Sequence, residues 1–150
     1  DGHRINQAVP ERLGLSLECR PGQTAGSFLD RFALQKDNQI VWALRYQNSH
    51  ADYRVDADGM DLSTGITPET SRTDLIVLRL DLNPAGTDTA TLYINPASLT
   101  EPATPTLRTT GEFTFQELIF NRLGYNGVTS RWDELSVART FAGAVTGGIE

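Results

Sequence analysis

The sequence contains a single cysteine, Cys19, which excludes an internal disulfide bond and any zinc site built from several cysteines. We expect Cys19 to be a small apolar residue buried on a strand, the usual place of a free cysteine. A disulfide to a second molecule, or a nucleophilic role, is the alternative. Long apolar runs are also missing: none approaches the roughly 20 residues that a membrane-spanning helix requires. We therefore expect no membrane insertion.

Positive charge is scarce. The 150 residues include 13 Lys and Arg against 19 Asp and Glu, which gives a formal net charge of −6. Proteins that bind nucleic acids or anionic lipids depend on Lys and Arg to neutralise phosphate groups, so the composition predicts neither partner. The length suits one domain spanning residues 1–150, with residues 1–12 as an N-terminal arm or edge strand and residues 143–150 as a frayed tail.

Helical periodicity is nearly absent, and a period of two dominates. Leu13, Leu15 and Leu17 alternate with small or polar residues, which predicts a half-buried strand. The turn residues Asp37 and Asn38 separate two alternating runs, and this predicts a β-hairpin. Further strand patterns occupy residues 53–55, 60–62, 73–83, 89–95, 113–122 and 131–139, whereas only residues 141–145 favour a helical turn.

The stretch 96–110 is rich in proline and threonine and predicts an exposed crossover between two sheets. About eight short strands, separated by frequent turns, are typical of an all-β fold: an antiparallel β-sandwich or jelly roll.

Three segments resemble a known family. They are the alternating run 74–82, the sequence Leu-Tyr-Ile-Asn-Pro that ends at Pro96, and Asp-Glu-Leu-Ser-Val at 133–137. The pattern resembles the concanavalin A-like, laminin-G-like jelly roll of secreted bacterial surface proteins, over residues 13–142. The resemblance implies an extracellular or cell-surface location and a structural position for Asn95. Asp133 is expected to be a structural carboxylate at the start of a strand that accepts hydrogen bonds from loop amides, because Asp favours such local bonds.

Domains of that family usually have one or more additional strands before the position of Leu13. A sandwich that lacks an N-terminal strand exposes apolar side chains and unpaired backbone groups. We therefore expect a second copy, or a part of a precursor, to supply the strand. Strand addition of this kind would produce a homo-oligomer or a filament.

The sequence shows no catalytic pair. A retaining glycosidase needs two carboxyl groups about 5–5.5 Å apart. Asp133 and Glu134 are adjacent, and Glu112 and Glu117 are five residues apart, so each pair falls on opposite faces of a strand. The two histidines, His3 and His50, are isolated from each other. These observations predict a protein that is not an enzyme, with no catalytic residues.

Asp56, Asp58 and Asp61 place three carboxylates within six residues. Calcium prefers several such oxygen ligands, so these residues form a candidate calcium site. An Asp-x-Asp-Gly sequence is also a common solvated turn, and both interpretations remain open. No other cofactor is expected.

Exposed aromatic side chains suit sugar rings, and the candidates are Tyr46, Tyr53 and Tyr125, with Asn126 as a polar neighbour. Trp42 and Trp132 lie in alternating strands, where we expect core packing. Two functions follow. The first is a non-catalytic extracellular interaction or structural module that self-associates, and the alternative is a carbohydrate-binding module that recognises a polysaccharide.

Overall fold

The structure, a computed structural model, describes residues 11–22, 28–47, 49–124 and 131–146. These residues form ten strands and one short helix. The strands are β1 (Glu11–Arg20), β2 (Phe28–Lys36), β3 (Gln39–Gln47), β4 (Arg54–Ala57), β5 (Met60–Ser63), β6 (Asp74–Leu82), β7 (Asp88–Ile94), β8 (Leu107–Gly111), β9 (Glu117–Gly124) and β10 (Arg131–Ala138), and the helix is α1 (Phe141–Val145).

The strands form two five-stranded sheets, and every described pairing is antiparallel. Sheet 1 has the order β10-β1-β6-β7-β8, and sheet 2 has the order β5-β4-β3-β2-β9. The predicted all-β antiparallel sandwich is confirmed. The membership of the concanavalin A-like group and the missing N-terminal strand remain predictions.

The hydrophobic core lies between the two sheets. Alternate residues of each central strand point inward, so β1 supplies Leu15 and Leu17 while β3 supplies Trp42 and Leu44, all of them buried. Each such aliphatic or aromatic side chain contributes about 1.5–3 kcal/mol when it leaves water. The alternation in the sequence therefore reports directly which residues face the core.

The predicted hairpin between β2 and β3 is confirmed. Lys36 pairs with Gln39, and the two loop residues Asp37 and Asn38 have φ angles of 49° and 61°. Two consecutive left-handed residues define the mirror-image turn that matches the twist of paired strands, and Asp and Asn tolerate this conformation.

The prediction for residues 96–110 is wrong. The segment does not cross to the other sheet: it turns back into β8, which pairs with β7 in sheet 1. Pro96, Pro102 and Pro105 all precede β8, so they do not interrupt its ladder. The crossover to sheet 2 follows β8, at residues 112–116.

Of the two predicted ends of the domain, residues 1–10 and 147–150 lie outside the described residues, and only residues 11–12 and 143–146 can be compared with the structure. Residues 11 and 12 belong to β1, a strand that lies between β10 and β6; at these two residues β1 pairs with β6, and its pairing with β10 begins at Gly14. Residues 143–146 are not frayed, because α1 packs against sheet 1: Ala144 is buried, and the Ser16 hydroxyl donates a hydrogen bond to the Ala144 carbonyl. In the part of the chain that the structure describes, no helix has the length and apolar character to cross a membrane.

Candidate functional site

The two tyrosines predicted to contact a sugar are core residues, so that prediction is wrong. Tyr46 and Tyr53 are fully buried, and their rings meet edge to face with centroids 5.7 Å apart. Tyr46 belongs to the inward-facing row of β3 and Tyr53 immediately precedes β4, and burial leaves neither ring face open to a ligand. Tyr125 and Asn126 lie outside the described residues.

Tyr53 instead takes part in a buried polar cluster around Asp74. The Tyr53 hydroxyl donates to Asp74 Oδ2 at 2.6 Å, Arg72 Nε donates to Asp74 Oδ1 at 2.5 Å, and Asn95 Nδ2 donates to the same oxygen at 2.7 Å. Burial, the largest cause, raises the pKa of the Tyr53 phenol far above its ordinary value. Asn95 has a left-handed backbone (φ 55°), and its Oδ1 accepts from the Leu75 amide at 2.8 Å. Asn95 is therefore structural, as expected.

The tryptophans have the structural roles that the sequence predicted. Trp42 is buried, and its Nε1 donates to Thr109 Oγ1 across the two sheets at 3.2 Å. Trp132 is half-buried beside Phe32 and Phe120, with ring centroids 6.5 Å and 5.9 Å away. The two indoles close opposite parts of the core.

Asp133 and Glu134 do not alternate as a regular strand would require. A bulge interrupts the pairing of β1 with β10 at this point, Glu134 has a φ of 55°, and both side chains are exposed. Asp133 Oδ1 accepts a hydrogen bond from the Glu134 amide at 2.9 Å. Asp133 is structural, although it stabilises a bulge and not the start of a strand.

The remaining acid and histidine candidates lie on the surface. Glu112 and Glu117 are exposed, and Glu117 accepts from Gln35 Nε2 at 3.2 Å. His50 Nε2 lies 3.8 Å from Asp61 Oδ2. His3 lies outside the described residues.

The predicted calcium ligands bind arginine instead. Asp56 and Asp61 are cross-strand partners, and Arg45 contacts both carboxylates, at 2.7 Å and 2.8 Å. Arg54 donates to Asp61 at 2.9 Å, and this hydrogen bond is the main reason that the pKa of Asp61 is lowered. Asp58 is exposed in the turn between β4 and β5. Over the described ranges no group of three or more acidic, histidine or cysteine side chains is arranged to hold a metal ion.

Arg45 is the centre of an arginine row on the outer face of sheet 2. The strand register aligns Asn121, Arg31, Arg45 and Arg54 across β9, β2, β3 and β4. Arg45 is nine-tenths buried. Burial opposes its charge, but the hydrogen bond to Asp56 and the attraction of Asp56 and Asp61 outweigh it, so the pKa of Arg45 is raised. Sequence reasoning missed this row, because its members come from four strands and only the register aligns them.

A shallow pocket adjoins the arginine row. It has a volume of about 340 Å³ and lies between β2, β3 and the β4–β5 turn. Its lining includes Arg31, Ile40, Asp56, Asp58, Met60 and Asp61. The pocket therefore combines a guanidinium group, carboxylates and exposed apolar side chains.

A second feature is the open side of the sandwich, where the edge strands β9 and β10 expose apolar residues. Its members are Phe120, Trp132, Leu135 and Val137. Phe120 pairs with the buried Phe32, and Val137 pairs with the buried Leu15. These side chains thus continue the inner, core-facing rows to the edge of the molecule.

Comparison of the chain with protein-family models, with curated proteins and with solved structures finds no match.

Proposed function

We propose that this protein is a non-catalytic interaction module that self-associates by strand pairing at its open side. An extracellular or cell-surface setting belongs to the same proposal and rests on the sequence resemblance. The observation that carries the proposal is the exposure of inward-facing apolar residues on the edge strands: 46% for Phe120, 45% for Leu135 and 53% for Val137.

On the opposite side of the sandwich, the core-facing residues are covered. There Phe113 is fully buried, and the Trp42–Thr109 hydrogen bond joins the two sheets. At the open side, residues on the same core-facing rows remain in contact with water. Contiguous exposed apolar surface of this kind is typical of an interaction site.

Among the four described sheet edges, β9 is the one suited to pairing with another strand. β5 has four residues and β8 has five, and β10 contains the bulge with the exposed acids Asp133 and Glu134. Short, bulged and charged edges resist strand addition. β9 has eight residues and pairs with β2 without a register shift.

A second copy of this chain is the occupant that β9 fits. Two antiparallel β9 strands related by a two-fold axis at Phe120 would extend sheet 2 across both copies. In this register, residues that share a face of β9 in one copy lie on the same face of the combined sheet as those in the other copy. The axis would place Phe120 against its counterpart and Ile119 opposite Asn121. Residues 118–121 carry no charge, so no like charges oppose one another at the centre, despite the net charge of −6.

The mass in solution tests this proposal. Light scattering coupled to size-exclusion chromatography should give twice the 16.5 kDa of one chain. Ile119→Lys places a charge on the pairing edge and should give the single-chain mass, as should Phe120→Ser. Leu99→Ser is the matched control: Leu99 is 53% exposed but lies in a loop away from the open side, so this variant should stay dimeric.

A single-chain mass for the wild type at concentrations up to about 1 mM, which corresponds to about −4 kcal/mol of association, overturns the proposal. A dimer that survives both β9 substitutions also overturns it, because the interface would then lie elsewhere.

A further inference from the structure

Two arginines face each other at one end of sheet 1. Arg20, the last residue of β1, pairs in register with Arg131, the first residue of β10, and both residues are exposed. Cys19 is buried in the core, so the alternation of the strand points Arg20 and its partner away from the core. Like charges directly opposite each other on paired strands are destabilising. An anion bound between the two groups would remove this repulsion.

The two guanidinium groups lack the ion pairs that other arginines of this chain form. In the part of the chain that the structure describes, neither Arg20 nor Arg131 forms a side-chain hydrogen bond or an ion pair. The next outward-facing pair along these strands is Glu18 with Asp133, and neither acid contacts the arginines. Elsewhere acidic side chains contact Arg12, Arg45, Arg54, Arg72 and Arg79.

The two arginines line a surface cavity of about 360 Å³. The other described residues of its wall are Pro21, Gly22 and Thr70, so this wall offers two positive charges, one hydroxyl group and no carboxylate. Each guanidinium presents a fork of N–H donors that matches two oxygen atoms of one anion. A phosphate group has three strong acceptor oxygens and a charge close to −2, which matches two such forks better than a single carboxylate does.

We propose that Arg20 and Arg131 bind the phosphate group of a small ligand, either free phosphate or a phosphate monoester, and that Thr70 contributes a further hydrogen bond. The bound group replaces the repulsion between the two arginines with attraction to a common partner. An extended polyanion fits less well, because the net charge of −6 and the nearby Glu18 and Asp133 repel it. The site shares no residue with the open side.

Thermal unfolding at about pH 8, where a phosphate group is dianionic, tests the ligand class. The probes are inorganic phosphate and glycerol 3-phosphate, and the comparisons are chloride and acetate at equal ionic strength. A ligand that binds only the folded chain raises the melting temperature, so both phosphates should raise it more than chloride or acetate does. Phosphate also stabilises proteins in general, and the double variant Arg20→Met/Arg131→Met, which should not show the additional rise, measures that contribution.

Titration calorimetry compares single variants. Arg131→Met should weaken phosphate binding by about tenfold or more, as expected when hydrogen bonds to a charged group are lost. Arg108→Met is the matched control, because it removes one exposed positive charge from β8 of the same sheet and should bind phosphate like the wild type. Ile119→Lys, which disrupts the proposed dimer, should also bind like the wild type, and this separates the two proposals.

A double-mutant cycle on Arg20 and Arg131 distinguishes a shared ligand from a role in the fold. In chloride the coupling between the two side chains should be unfavourable, because like charges face each other. In saturating phosphate the coupling should become favourable, because both arginines then contact one group. Neither substitution removes a buried contact, so the variants should remain folded.

Three results overturn the phosphate site. If the double variant gains as much melting temperature from phosphate as the wild type does, the stabilisation is general. If Arg131→Met and Arg108→Met lose the same affinity, only the overall charge matters. If the coupling between Arg20 and Arg131 is the same in phosphate and in chloride, the two arginines share no ligand.

Discussion

The buried carboxylate of Asp74 should contribute far more to the free energy of unfolding than the solvent-accessible carboxylate of Asp81, although Asp81 contacts two arginines and Asp74 contacts one. Asp74 is fully buried and accepts from Tyr53, Arg72 and Asn95. Removal of this carboxylate in Asp74→Ala takes the charged acceptor from the Tyr53 hydroxyl in the core, and it leaves Arg72 with Glu69 as its remaining ion-pair partner. Losing three hydrogen bonds to one charged acceptor, two of them from solvent-accessible donors, should cost about 3–5 kcal/mol.

The matched control is Asp81→Ala. Asp81 also contacts two arginines, Arg12 at 2.5 Å and Arg79 at 2.9 Å, but its side chain is 26% exposed. Water screens such pairs, and their contribution is about 0–1 kcal/mol. Tyr53→Phe should fall between the two variants, at about 1.5–3 kcal/mol, because it removes one hydrogen bond to a charged acceptor.

Urea unfolding followed by tryptophan fluorescence measures all three variants. The free energy of unfolding should decrease in the order Asp81→Ala, Tyr53→Phe, Asp74→Ala, with an unchanged dependence on urea concentration. For a domain of this size Asp74→Ala should lower the melting temperature by about 6–20 °C. A loss for Asp74→Ala no larger than that for Asp81→Ala would refute the assignment of burial as the deciding factor.

Two further predictions concern the core of sheet 1. Burial raises the pKa of the Cys19 thiol to about 12, so the thiol stays protonated when folded, and iodoacetamide should label it at pH 8 only as fast as the chain unfolds. The thiol of the unfolded chain ionises at a lower pH than the buried thiol, so the free energy of unfolding should fall as the pH rises from about 9 towards 12. Cys19→Ala should lack this part of the decline. Equal labelling rates with and without urea would contradict the prediction. Gly14→Ala would place a Cβ atom 3.1 Å from both the Ala144 side chain and the Thr140 carbonyl oxygen, so α1 must shift, at a cost of about 1–3 kcal/mol in thermal unfolding. In the control Gly86→Ala the new Cβ meets only the Asn83 side chain, and a comparable loss there would show that crowding by α1 is not the cause.

The alternation of apolar and polar residues can be read from neighbouring positions in the sequence, and it was enough to predict the strands and the fold class. The run 74–82 is a strand because inward and outward residues alternate, and Asp37-Asn38 is a hairpin turn because these residues tolerate a left-handed backbone. The same local pattern placed Trp42 in the core. Burial of a whole apolar row contributes several kcal/mol, so the sequence alone decides which face of each strand points inward.

The sequence did not determine which strands are neighbours, and the candidate sites depend on that choice. The sequence predicted Asp56 and Asp61 to be calcium ligands, but the strand register places both carboxylates against the buried guanidinium of Arg45. It predicted Tyr53 to be a surface ring, but Tyr53 donates to the buried Asp74. The arginine row exists only because four strands align at one level. Register and sheet order are set by contacts between residues far apart in the chain, so only the tertiary structure brings these side chains together.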